Sequence, residues 1–172
     1  MNKLRSFSYR FLFIFSILTI LNLTTTYFAH PFSTRYQTKI LHLLNQLHSD
    51  PHNGKISNTI GFYYYKMENY QEAIKYYKKA IKLTPDYPLS YNNLGVIYLQ
   101  TEQYEQAEEC FRKAIALDPV YIKAVYNLGV TYFKMNNHPE AKRWYKIALK
   151  IDPEYVNKRK NYFLNKNSQL VK

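Results

Sequence analysis

The chain has 172 residues and 20.7 kDa, the size of one domain, and carries 24 basic against 12 acidic residues for a formal charge of +12. Four glycines and seven prolines exclude collagen-like and Gly/Pro-rich chains, and 47% hydrophobic content excludes a disordered one. A single cysteine, Cys110, excludes an internal disulfide and a zinc site built from several thiolates.

Residues 1–33 differ in kind from the rest. After Lys3, Arg5 and Arg10 comes an uncharged stretch that begins FLFIFSILTILNL at Phe11 and carries no charge until Arg35. About 20 helical residues span a hydrocarbon core of roughly 30 Å, so a membrane anchor is expected. A cleaved secretory signal is the alternative, because Phe11–Leu23 also has the length of a signal core. No small-x-small cleavage site follows; Tyr27 stands two places before Ala29. The basic start favours the amino terminus inside and the body translocated.

Beyond this segment a 34-residue period governs the chain. Pro51, Pro85, Pro119 and Pro153 keep that spacing, as do Gly61, Gly95 and Gly129. Further columns are Tyr64, Tyr98 and Tyr132; Ala73, Ala107 and Ala141; Tyr77, Phe111 and Tyr145; and Ala80, Ala114 and Ala148. In the middle unit Tyr91, Leu94, Gly95 and Tyr98 fall on one helical face. Glycine costs about 1 kcal/mol in a helix interior, so its recurrence needs a reason. Close approach of two helices supplies one, with Ala107 opposite Gly95 and Phe111 filling space toward the next unit. Proline ends each second helix; Pro139 instead opens one, where its missing N–H costs nothing.

These columns resemble the tetratricopeptide repeat (TPR), a helix–turn–helix unit of this period. The middle unit reads YNNLGVIY and then YEQAEECFRKAIALDP, and the resemblance covers residues 54–155. The family's leading Trp is replaced by Ser57, Tyr91 and Val125. The resemblance implies an all-α fold, a short helical solenoid of three repeats at 54–87, 88–121 and 122–155. Residues 34–53 are expected to cap it as the lone second helix of a degenerate repeat, with ILHLLNQLHSDP (Ile40–Pro51) as that helix. Residues 156–172, rich in Lys, Arg and Asn, are expected to form a basic C-terminal cap and tail.

Catalytic signatures are missing: no nucleophile elbow, no phosphate-cradling glycine loop and no HExxH helix occurs. His42, His48 and His52 fall on different faces around Pro51 and make a poor metal set. Cys110 reads as a packed thiol beside Phe111. No enzyme activity, cofactor, metal or small-molecule substrate is therefore expected. A solenoid offers a concave wall lined by first helices. Its candidate groove residues are Lys55, Asn58, Thr59, Phe62 and Lys66; Leu89, Asn92, Asn93, Val96 and Gln100; and Lys123, Tyr126, Asn127, Val130 and Lys134. Carboxamides suit an extended peptide, because each offers a donor and an acceptor to its backbone. Asn93 with Asn127 resembles the asparagine ladder of long TPR superhelices. Of the positions matching the carboxylate clamp of chaperone-tail-binding members, Asn93 and Lys123 carry the expected types, whereas Phe62 and Asn127 replace an amide and a cation.

Charge is uneven along the repeats. The middle one is acidic through Glu102, Glu105, Glu108, Glu109 and Asp118, so no continuous basic stripe serves nucleic acid. The run Lys158–Arg159–Lys160 is the best argument for nucleic acid or anionic lipid. The expected protein is a membrane-tethered, noncatalytic adaptor or assembly factor that takes a protein segment in its groove. Its organisation resembles the small anchored TPR proteins of cyanobacteria and red-algal plastids. A secreted or periplasmic adaptor and a nucleic-acid-associated protein are the alternatives.

Overall fold

The computed structural model describes residues 31–159, and the expected N-terminal apolar helix lies outside them. Two compact units divide the chain, Met1–Lys39 and Ile40–Lys172. Among the described residues there are eight helices and no strand: α1 Pro31–Ser49, α2 Gly54–Lys66, α3 Tyr70–Leu83, α4 Pro88–Gln100, α5 Tyr104–Leu117, α6 Ile122–Lys134, α7 His138–Ile151 and α8 Pro153–Asn157. None of these helices is long and apolar enough to cross a membrane.

Helix ends are set by local chemistry. Asn53, Asn69 and Asn137 accept from the backbone N–H three residues on, closing the starts of α2, α3 and α7. Pro88 and Pro139 sit in the first turns of α4 and α7, where no N–H is needed. The turn inside each pair passes through one left-handed residue, Glu68 (φ 58°), Glu102 (φ 61°) and Asn136 (φ 59°), again 34 apart. Thr84, Asp118 and Asp152 cap the second helices directly before Pro85, Pro119 and Pro153. The α1 helix starts at Pro31, earlier than the expected Ile40. Proline's fixed φ suits a helix start, and apolar spacing alone does not mark that boundary.

Packing within Ile40–Arg159 is pairwise: α2 on α3, α4 on α5, α6 on α7, each pair then joined to the next. Successive first helices (α2 with α4, α4 with α6) touch more than successive second helices do, which places first helices on the inner side. Ile40 and Leu47 of α1 bury against Ile60 and cover the first pair. At the other end Val156 of α8 is fully buried among Tyr126, Leu128 and Ala148.

The glycine column differs from its expected role in one respect. A Cβ on Gly95 would stand 2.7 Å from the Phe111 ring, and one on Gly61 would stand 2.8 Å from the Tyr77 ring. The aromatic residue of the second helix thus lies on the glycine of its own pair. It does not merely fill the space beyond. Tyr77 also shares a buried cluster with Leu94 and Ile97, and Phe111 one with Ala124 and Leu128, so each ring joins two pairs. Gly54, outside the column, meets Ala80 and Thr84 just as closely, where α2 begins beside the end of α3. Gly129 is roomier: its nearest neighbours would be Trp144 Cβ at 3.4 Å and the Tyr145 nitrogen at 3.5 Å.

The column should therefore respond unequally to one substitution. Gly95→Ala is expected to lower stability by about 1–2 kcal/mol, overpacking against Phe111 outweighing the helix propensity gained. Gly129→Ala should raise stability by up to about 1 kcal/mol, since its methyl enters ordinary contact distance. Urea denaturation of both variants checks the opposite signs, and equal losses would remove the account of the column.

Candidate functional site

The inner wall is built by α2, α4 and α6. A chain of side-chain amides crosses it. Asn127 Nδ2 donates to Asn92 Oδ1 at 3.1 Å, Asn92 Nδ2 to Asn93 Oδ1 at 3.4 Å, and Asn93 Nδ2 to Asn58 Oδ1 at 3.1 Å. Gln100 Nε2 donates likewise to the Tyr65 hydroxyl at 3.0 Å. Each link between helices spans 35 residues, one more than the repeat. The expected pair, Asn93 with Asn127, is joined only through Asn92. Equivalent backbone positions recur every 34 residues, but neighbouring first helices are rotated against each other, so the next residue along makes the contact.

Several expected groove residues are turned inward. Asn58, Asn92, Tyr126 and Val130 are buried. The Tyr126 hydroxyl donates to the Arg159 carbonyl at 2.9 Å, and its ring meets Tyr155 edge-on at 5.7 Å. Tyr155 and Arg159 therefore occupy the place expected for a ligand at Tyr126, a contact that no spacing within the repeats encodes. Thr59 and Leu89 are half-buried, and the Thr59 hydroxyl donates to the Lys55 carbonyl. Asn93, Val96 and Asn127 are also half-buried, whereas Lys55, Phe62, Lys66, Gln100, Lys123 and Lys134 are exposed. Phe62 stands edge-on to Tyr63 at 5.7 Å, with Lys66 Nζ 5.5 Å from its ring centroid. Lys55 Nζ lies 5.8 Å from the Tyr87 ring. The wall thus combines an exposed aromatic face, a hydrogen-bonded amide row and lysines at both helix ends.

Its charge is one-sided. The first helices α2, α4 and α6 contain Lys55, Lys66, Lys123 and Lys134 and no carboxylate. The carboxylates lie on second helices, turns and α8, with Glu72, Glu105 and Glu140 in the first turns of α3, α5 and α7. The packing residues of the columns take their places elsewhere: Ala73, Ala107, Ala141 and Phe111 are fully buried, Tyr77 nearly so, and Tyr145 only slightly exposed. Tyr64 stacks on Tyr76 with centroids 5.5 Å apart, and Tyr98 packs against the first two pairs.

Tyr132 does more than pack. Its hydroxyl donates to Glu108 Oε1 at 2.6 Å and accepts from Arg112 Nη2 at 2.6 Å, while Arg112 Nε donates to the same carboxylate at 2.8 Å. The three groups tie α5 to α6. Burial alone would raise the Glu108 carboxyl, but the hydrogen bonds from Tyr132 and Arg112 and the guanidinium charge hold it below its ordinary value. The spacing of Glu108 and Arg112, four apart on one helix, is the sequence signal that marks this network. Burial pushes the Cys110 thiol up to about 12, which suits a packing residue and not a nucleophile. Among the described residues no group of histidine, cysteine and carboxylate side chains could hold a metal ion.

Comparison with known proteins agrees with this geometry. Two family models described as tetratricopeptide repeat match, one over residues 53–119 and one over residues 122–155. The chain belongs to the tetratricopeptide repeat family. Its repeats form a protein-interaction module. Among solved structures it is similar to MamA, at 27% identity and a TM-score of 0.66 over 71% of each chain. It is similar also to the first TPR domain of Spaghetti (RPAP3) bound to the HSP90 peptide SRMEEVD, at 26% identity and 0.60, covering 66% of this chain and 92% of that one. The TPR domain of Arabidopsis OM64 matches at 25% and 0.58, covering 59% and 84%. No curated protein sequence matches.

The Glu108 network sets a pH dependence. A carboxyl held below its unfolded value stabilises the fold above roughly pH 4.3, and that contribution is lost as the pH falls through the folded value. At neutral pH Glu108→Gln should cost about 1 kcal/mol, one charged hydrogen-bond network at a half-buried site. As the pH falls below the ordinary glutamate range and through the lowered folded value, the two proteins should converge. Parallel denaturation curves from pH 7 to pH 3 test this, and a constant gap would show that the carboxylate charge is not involved.

Proposed function

We propose that the inner wall binds an extended, acidic segment of a partner protein, and that the repeats act as a tethered adaptor or assembly factor. The observation that carries this reading is a first-helix wall with four lysines, no carboxylate and a row of amides between them. Two of those lysines defy the helix dipole. Lys55 and Lys123 are the second residues of α2 and α6, where a positive charge is disfavoured by about 0.3–1 kcal/mol. Placed there, lysine and helix N-terminus add their fields toward an anionic ligand. Phe62, exposed beside Lys66, supplies an apolar anchor. The bound peptide in the similar Spaghetti structure is itself acidic.

A photocrosslinking residue in place of Val96 should capture partner segments richer in Asp and Glu than in Lys and Arg. Joint replacement Lys66→Glu and Lys123→Glu should weaken binding of a fluorescein-labelled Glu-rich decapeptide about tenfold or more at low salt. Asn127→Ala, which removes the half-buried end of the amide row, should weaken it about three- to fivefold. Unchanged peptide affinity in the lysine variant overturns the groove assignment.

The tether rests on the uncharged stretch from Phe11 and the basic residues before it. On this reading the chain is a single-pass membrane protein, which raises the local concentration of partners at the same membrane. Alkaline carbonate washing of membranes should leave the full chain in the pellet at its full mass. Release into the supernatant, or a mass lacking the first residues, would replace the tether with the periplasmic or secreted alternative.

A further inference from the structure

The outer seams between successive second helices hold a large side chain at one register. In α3 it is Tyr76, stacked on Tyr64 with ring centroids 5.5 Å apart. In α7 it is Trp144, its ring centroid 5.9 Å from the Arg112 guanidinium of α5. The residue midway between them, 34 from each, is Cys110 of α5. A second position repeats the contrast, with Ala116 where the neighbouring repeats have Lys82 and Lys150. Two small residues thus leave the seam between α3 and α5 underfilled.

The result is a hollow of about 710 Å³ on the outer side, opposite the groove. This volume lies in the range of small-molecule sites, roughly 300–1,000 Å³. Its floor is Tyr91, Leu94 and Tyr98 of α4, and Cys110 forms one side. Lys78 of α3 and Lys113 of α5 stand on its rim, with Glu109 the single carboxylate there. Arg112 also borders it, but its guanidinium is held by Glu108 and Tyr132. The walls are apolar and aromatic, and the two lysines outnumber the carboxylate.

We propose that this hollow binds a single-chain amphiphilic anion, its apolar tail lying on Tyr91, Leu94 and Tyr98 and its anionic head held between Lys78 and Lys113. The apolar floor gives the tail the greater part of its affinity, because burial of each methylene contributes independently of charge. The lysines select the sign of the head group. A cationic amphiphile of equal length would meet two like charges and one carboxylate.

The test is calorimetric titration of the full chain with laurate below its micellar concentration, set against dodecyltrimethylammonium. Laurate should bind at least about tenfold more tightly than the cation. Cys110→Trp, which places in this seam the residue the next seam already carries, should weaken laurate binding about tenfold or more. Joint replacement Lys78→Glu and Lys113→Glu, both at exposed positions, should weaken it about fivefold and keeps the test open if the tryptophan variant fails to fold. Binding to any other part of the chain would be common to all variants. Equal affinity in wild type and variants, equal uptake of the cation, or no laurate uptake by the wild type each overturns the proposal.

Discussion

An aromatic ring pressed onto a backbone that has no side chain is the contact on which the repeats depend. Phe111 lies against Gly95 and Tyr77 against Gly61 at distances that leave no space for a methyl group. Each ring then continues into the cluster of the following first helix. One side chain thereby closes a pair and docks it on its neighbour. With one cysteine in the chain, no internal disulfide assists this burial. The small residues around the rings meet the same requirement: Ala73, Ala107 and Ala141 are completely buried because helices this close accommodate nothing larger.

The third repeat relaxes the rule. Around Gly129 the neighbours stand back to ordinary contact distance, and Tyr145 keeps a little exposure where Phe111 has none. Beyond this pair the described residues continue into the five-residue α8, Pro153–Asn157. Tyr126 of this pair is buried, its hydroxyl donating to the Arg159 carbonyl and its ring edge-on to Tyr155.

The all-α architecture and its pairing were legible because a fixed period repeats the same packing demand, and repetition reveals positions that a single copy would hide. The groove was less legible. Its first helices contact both their second-helix partners and one another, so a polar residue on them can face inward: buried Asn58 accepts in the ladder, and buried Asn92 both donates and accepts. The rotation between repeats moved that ladder one residue away from the column in which Asn93 and Asn127 stand. The Tyr132 hydroxyl was hidden for another reason. Its column marked it as a packing residue, and the bond to Glu108 depends on a helix 24 residues earlier. The hollow beside Cys110 emerges from the sequence only when that column is read for the residue that is too small.

Charge placement then separates structure from use. Second helices obey the dipole rule, opening with Glu72, Glu105 and Glu140. First helices break it twice at one register, with Lys55 and Lys123 in their opening turns and no acidic residue there. Stability does not account for this, since glutamate at either place would strengthen the helix and both side chains are exposed to water. Departures from local consistency in an otherwise consistent sequence point to selection for something other than folding. In these repeats the departures lie on the wall that carries the amide row and the exposed Phe62. Two lysines set against the helix dipole at one register, on first helices that carry no carboxylate, present charge at the cost of a small part of helix stability.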